Sequence, residues 1–230
     1  MSHFDYSTIS GYHVKSRQGM DHWNAILEEW ILATERYSRI CEGREAPFVF
    51  TEVANVGLVA AAVWRSGGIA MQEYVAEKGV KHRPKWTGRV DMWLNCNGKE
   101  QILEAKMNTL PVHHTQEIDG FISSRLSVAL EDARQSRGAT DVDSLGALFV
   151  VPSITFNQVS KLEETDEDDA YQRILEDYID RILETNNYHG AAWCFPKEMR
   201  RNPEDEGYED GIKSDGKIYP GVVLLLRKYR

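Results

Sequence analysis

The stretch Gly88-Arg89-Val90-Asp91-Met92-Trp93-Leu94-Asn95-Cys96-Asn97-Gly98-Lys99-Glu100-Gln101-Ile102-Leu103-Glu104-Ala105-Lys106-Met107 decides the fold. Asn97-Gly98 between two β-type runs is a strong hairpin signal, because a two-residue turn needs left-handed backbone that Asn and Gly adopt at low cost. The spacing predicts strands over 88–96 and 99–107. A two-residue loop sets Cys96 opposite Lys99, and the same register sets Asp91 opposite Glu104. Side chains alternate faces along a strand, so Lys106 shares the Asp91 face while Ala105 points to the other side.

Directly opposed residues have Cβ atoms about 5 Å apart. Two carboxylates at that distance repel by roughly 3 kcal/mol at an effective dielectric near 20. Lys106 offsets part of this repulsion. A divalent cation offsets more, since Mg²⁺ prefers hard oxygen ligands and typically takes one or two carboxylates with water and phosphate. The competing reading is a solvated ion cluster on the polar face of a surface hairpin.

Outward from the hairpin, Trp23, Ile26, Leu27, Trp30, Ile31, Tyr37 and Ile40 recur near a 3.6-residue period, predicting a long helix from an Asp21 N-cap. Residues 1–20 read as irregular, and Pro47 as an interruption. A second helix is expected over 51–65, with Glu52 in its first turn, Gly67-Gly68 as its stop, and its nearly unbroken apolar run buried. Residues 69–77 fit a strand. Ile118, Phe121, Ile122, Leu126, Ala129, Leu130 and Ala133 mark a helix after the hairpin. Gly146 to Val151 reads as a strand covered on both faces. Tyr171 to Leu183 carries a clear helical stripe, and Ala191–Phe195 and Val222–Arg227 read as late strands. This order predicts an α/β domain with a mixed central sheet flanked by helices.

With 230 residues and 42% apolar content, the chain can fill a full-sized core. Twenty-seven basic against 36 acidic residues give a net charge of −9, which argues against coating nucleic acid through bulk positive charge but leaves room for a local basic groove. No apolar run approaches the roughly 20 residues of a membrane span. The start, Met1-Ser2-His3-Phe4-Asp5, has no export signature, and three scattered cysteines suggest neither a disulfide framework nor a CxxC metal pair, so a cytoplasmic location is expected. GxSxG, HExxH, phosphate-loop and dinucleotide-binding fingerprints are absent from the sequence.

An Asp near the start of one strand, a tight turn, and Glu104-Ala105-Lys106 late in the next resemble the PD-(D/E)xK nuclease superfamily. The resemblance is close over the hairpin and loose over the domain. It implies a restriction-endonuclease-like αβββαβ core over residues 46–230, with 1–45 as an N-terminal helical extension. It further implies that Asp91, Glu104 and the Ala105 carbonyl ligate Mg²⁺, with Mn²⁺ able to substitute, and that Lys106 positions or activates the attacking water. Glu52 sits where many members supply another acid, and Glu73 is its rival. Val90 stands where the family name has Pro.

The implied activity is metal-assisted phosphodiester hydrolysis leaving a 5′-phosphate, with DNA as the expected partner and restriction or phage defence as the setting. Cutting both strands at once calls for a homodimer or a larger nuclease complex. An RNA-cleaving version would differ only in substrate. Lys78, Lys81, Arg83, Lys85 and Arg89, with His82 and Trp86 among them, lead into the Asp91 strand and suit phosphate contacts and base stacking; Gln116 is a further candidate contact. His113-His114 reads as a loop, and the acidic stretches 163–169 and 203–211 as solvated segments. The alternative functions are a nucleic-acid-binding or scaffold subunit with the same fold and little activity of its own, and an interaction domain whose polar hairpin cluster is accidental.

Overall fold

The computed structural model describes residues 7–79, 85–113, 117–137, 142–163, 170–200 and 216–229. In chain order the first elements are β1 (Ile9–Val14), α1 (Trp23–Ile40), α2 (Pro47–Phe50) and α3 (Glu52–Arg65). The central block is β2 (Ile69–Lys78), β3 (Trp86–Cys96), β4 (Lys99–Pro111), α4 (Ile118–Arg137) and β5 (Asp143–Thr155). Then come α5 (Phe156–Glu163), α6 (Ala170–Glu184), β6 (Gly190–Phe195), a 3₁₀ turn at Lys197–Arg200, β7 (Lys217–Ile218) and β8 (Val222–Lys228).

The strands form one mixed sheet ordered β1-β6-β8-β5-β4-β3-β2, with short β7 pairing the end of β5. Asn97 and Gly98 have φ of 52° and 72°, and the ladder they start pairs Cys96 with Lys99 through to Met92 with Leu103. β4 and β5 run parallel, which requires a crossover, and α4 supplies it. α1 and α3 pack on one face through Trp23, Trp30, Val59 and Val63, against Met92, Leu94 and Leu103. On the opposite face Ile122 and Leu126 of α4 and Leu175, Tyr178 and Ile179 of α6 meet Leu148 and Val150. β5 sends Ala147, Phe149 and Val151 to the first core and Leu148 and Val150 to the second, so every residue of its apolar run is buried. Among the described residues no helix is long and apolar enough to cross a membrane.

Several sequence expectations need correction. Residues 9–14 are a strand, held by antiparallel pairing with β6, not irregular chain. Together with α1 they join residues 7–45 to the same sheet and core as the rest. α1 begins at Trp23 without a side-chain cap, so Asp21 is not its N-cap; the Trp23 N–H donates to the Met20 carbonyl instead. Its buried face continues through Thr34 and Ser38, leaving Ile40 67% exposed. Pro47 opens α2 at a position where its missing N–H costs nothing. α3 is buried on one face only: Val53 and Trp64 are 52% and 58% exposed. α5 was legible in principle, because Thr155-Phe156-Asn157-Gln158 is a capping box: Thr155 N–H donates to Gln158 Oε1 at 2.9 Å and Gln158 N–H to Thr155 Oγ1 at 3.3 Å.

Candidate functional site

The β3–β4 ladder stops one pair short of Asp91 and Glu104, although β3 goes on pairing with β2 as far as Trp86. In the gap Asp91 Oδ2 accepts the Ala105 N–H at 2.7 Å, so a carboxylate takes the place of a strand partner. On the β2 side, Glu73 lies across from Asp91 with φ of 50° and is omitted from an otherwise continuous ladder. Asp91 therefore occupies a break in pairing on both of its neighbours.

Glu104 is only 3% exposed. Its Oε1 accepts from Lys78 Nζ at 2.7 Å and from the Ser136 hydroxyl. Burial, then the charge of Asp91, raises the Glu104 pKa to about 7 against the pull of Lys78 and Ser136. Lys78 reaches this point because the end of β2 is tied to α4, where Gly79 N–H donates to the Gln135 carbonyl at 2.8 Å. Asp132 and Ser136 lie four apart on α4 and so share a flank of the helix.

Lys106 Nζ lies 2.8 Å from Asp132 Oδ2. Burial disfavours the Lys106 charge, but Asp132 first, then Glu52 and Asp91, outweigh it, and its proton is held more tightly than in water. Glu52 sits in the first turn of α3, positioned by Thr51, whose Oγ1 caps the helix by accepting from Ala54 N–H. Burial raises the Glu52 pKa; the Lys106 charge opposes this, the Asp91 charge adds to it, and the Met107 N–H bonded to Glu52 opposes it.

The structure thus brings Glu52, Asp91, Glu104 and Lys106 into one electrostatic cluster, with the Ala105 backbone joined to Asp91. Glu73 instead pairs with Arg89 at 3.0 Å on the exposed side of the sheet edge. Lys85 pairs with Glu77 at 2.7 Å and Lys78 with Glu104, so all three described members of the basic set have acidic partners. Lys78 is not a groove cation but the half-buried counter-ion of Glu104. Lys81, His82, Arg83 and Gln116 lie outside the described residues, as do 164–169 and 203–211.

Sequence reasoning missed Asp132, Ser136 and the role of Lys78. One signal was present for Ser136: it continues the buried α4 stripe Ile122, Leu126, Ala129 and Ala133 with a hydroxyl, and a buried hydroxyl needs a partner. Among the described residues no three His, Cys, Asp or Glu side chains stand together at metal-binding distance. Comparisons with protein-family models, curated proteins and solved structures returned no match to this chain.

Proposed function

We propose that the chain is a divalent-metal-dependent nuclease of restriction-endonuclease-like fold, hydrolysing phosphodiester bonds in DNA. The observation that carries this reading is the convergence of Glu52, Asp91, Glu104 and Lys106 on the break between β3 and β4. The succession α3-β2-β3-β4-α4-β5 adds support, since it follows the αβββαβ order of that fold.

The donor chemistry fits a hard divalent ion. Four carboxylates (Glu52, Asp91, Glu104, Asp132) face two ammonium groups (Lys78, Lys106), a partly buried site whose acids outnumber its cations even while Glu104 keeps its proton. Asp91 and Glu104, with the Ala105 carbonyl that the resemblance assigns, would hold Mg²⁺ or Mn²⁺, and Glu52 would add charge from the helix side. Two carboxylates suffice for Mg²⁺, which leaves much of its shell to water and substrate phosphate. Such an ion polarises the scissile phosphate and lowers the pKa of bound water.

The rest of the work falls to the chain. Lys106 keeps its proton, because Asp132 compensates the charge, so it serves as a cationic donor that orients the attacking water rather than as a base. Asp132 is its positioning residue. Lys78 and Ser136 fix the Glu104 carboxylate against α4. Asp91 is aligned by the Ala105 N–H.

One observation favours a second reading, a nucleic-acid-binding or scaffold subunit with little activity. Glu104 already has an internal cation, Lys78, which offsets part of the buried charge without a metal.

Cleavage of plasmid, linear and single-stranded DNA with Mg²⁺, Mn²⁺ or EDTA separates the two. The nuclease reading expects metal-dependent cutting, reduced roughly 100-fold or more in Asp91→Asn and in Lys106→Ala. Asp91→Asn retains an acceptor for the Ala105 N–H, so loss of activity there reports charge rather than folding. Absence of cutting together with absence of calorimetric Mn²⁺ binding sinks the reading; Mn²⁺ binding without cutting favours the subunit.

A further inference from the structure

Glu104, Gly146 and Arg227 stand in one row across β4, β5 and β8: Glu104 pairs with Gly146, and Gly146 with Arg227. Opposed residues on neighbouring strands share a face, so Arg227 emerges on the α4 side of the sheet, two strand spacings or roughly 10 Å from Glu104. α4 runs between them. Gly146 admits it, since a Cβ there would lie 2.8 Å from the Leu130 nitrogen. One flank of α4 presents Asp132 and Ser136 to the candidate centre. The other presents Ser127 and Glu131 to a cavity of about 470 Å³, whose remaining walls include His189, Arg227, Lys228 and Tyr229.

Among the described residues the charges around this cavity do not balance. Lys228 is neutralised by Asp143 at 2.7 Å, and Glu131 is engaged by Arg134 at 2.5 Å. Arg227 has no side-chain hydrogen bond or ion pair among the described residues. Lys15, outside the cavity lining but within electrostatic reach of Arg227, donates to the Asn186 carbonyl at 2.7 Å and sits 4.3 Å from the Tyr188 ring centre, with no carboxylate beside it among the described residues. Burial and then the Arg227 charge lower the Lys15 pKa, as expected for two cations that repel each other. Two cations that feel each other's charge and have no carboxylate partner among the described residues leave a place for an external anion.

We propose that this cavity is a phosphate-binding pocket, separate from the candidate cleavage centre, with Arg227 as its main contact and Lys15 supplying further positive field. A guanidinium presents paired N–H donors that match two phosphate oxygens, and Tyr229 lines the same space with a phenol able to donate; the Ser127 hydroxyl is already donated to the Ser123 carbonyl at 2.7 Å. Two positive charges suit a phosphate dianion better than a single carboxylate. The proposal stands whether or not the chain cleaves nucleic acid.

The test is calorimetric titration with inorganic phosphate at low ionic strength, on the wild type, Arg227→Gln and Asp91→Asn. One saturable site is expected, weakened at least about tenfold in Arg227→Gln and unchanged in Asp91→Asn. Equal binding by wild type and Arg227→Gln, or binding lost in Asp91→Asn, would overturn it, as would no saturation in the wild type. Should Arg227→Gln fail to fold, amide shift changes at Ser127 and Tyr229 in wild type titrated with phosphate carry the same test. Competition by a 5′-phosphorylated dinucleotide, but not by its unphosphorylated form, identifies a terminal nucleotide phosphate as the source; no competition by either identifies free phosphate.

Discussion

Glu104 ties the candidate chemistry to stability. Its ordinary pKa of 4.5 rises to about 7 in the fold, through burial first and the Asp91 charge second. Between those two values an unfolded chain has given up the Glu104 proton while the native chain keeps it, so stability falls as pH rises across this window and levels off above it. Compared with Glu104→Gln, which has no proton to lose there, the wild type should lose ground steadily from about pH 4.5 to 7. Denaturant unfolding of both proteins across that range measures the difference, and a constant difference would mean that Glu104 is ionised throughout. At this scale the sequence was readable where residues are local: Asp91, Glu104, Ala105 and Lys106 followed from one turn and a two-residue period. Lys78, Asp132 and Ser136 were not, because they arrive from elements whose approach is set by β2 edge pairing and the α4 crossover.

Among the elements, α4 has the most constrained seat. It rests backbone-first on Gly146, and a methyl group there would lie 2.8 Å from the Leu130 nitrogen and 3.0 Å from Leu130 Cγ. Gly146→Ala should therefore destabilise the fold by about 1–3 kcal/mol by forcing helix and sheet apart. The same substitution should lower thermal stability and, on the nuclease reading, weaken Mn²⁺ binding together with it, since Ser136 and Asp132 ride on the displaced helix. Differential scanning calorimetry and Mn²⁺ titration check both; an unchanged melting temperature would show that the helix has slack. Most helices and strands could be read from periodicity, because each buries one continuous face. β1 could not: its exposed Tyr12 and half-buried neighbours give no strong alternation, and only the β6 partner makes it a strand. In α3 the apolar run exceeds the surface available to cover it, which is why Val53 and Trp64 remain exposed.

For the whole molecule, Trp23 and Trp30 of α1 lie in one cluster with Met92, Leu103 and Leu224, so the N-terminal helix has no core apart from that of the sheet. The chain should unfold in a single transition, with tryptophan fluorescence and far-ultraviolet circular dichroism giving the same midpoint. An earlier fluorescence transition would mean that α1 melts by itself. The order of strands across the sheet was beyond the sequence, since β6 and β8 insert between β1 and β5 and sequence neighbours do not reveal such an insertion. That order leaves β2 at an edge, with Ile69, Met71 and Val75 exposed along it. A long open edge with apolar side chains invites another chain to add a strand and begin aggregation. The left-handed backbone at Glu73 interrupts this edge halfway, and the Trp64 indole already occupies the Ala70 carbonyl. An incoming strand would meet a broken template in place of ten regular residues, so the distortion beside Asp91 also protects the protein from its own copies.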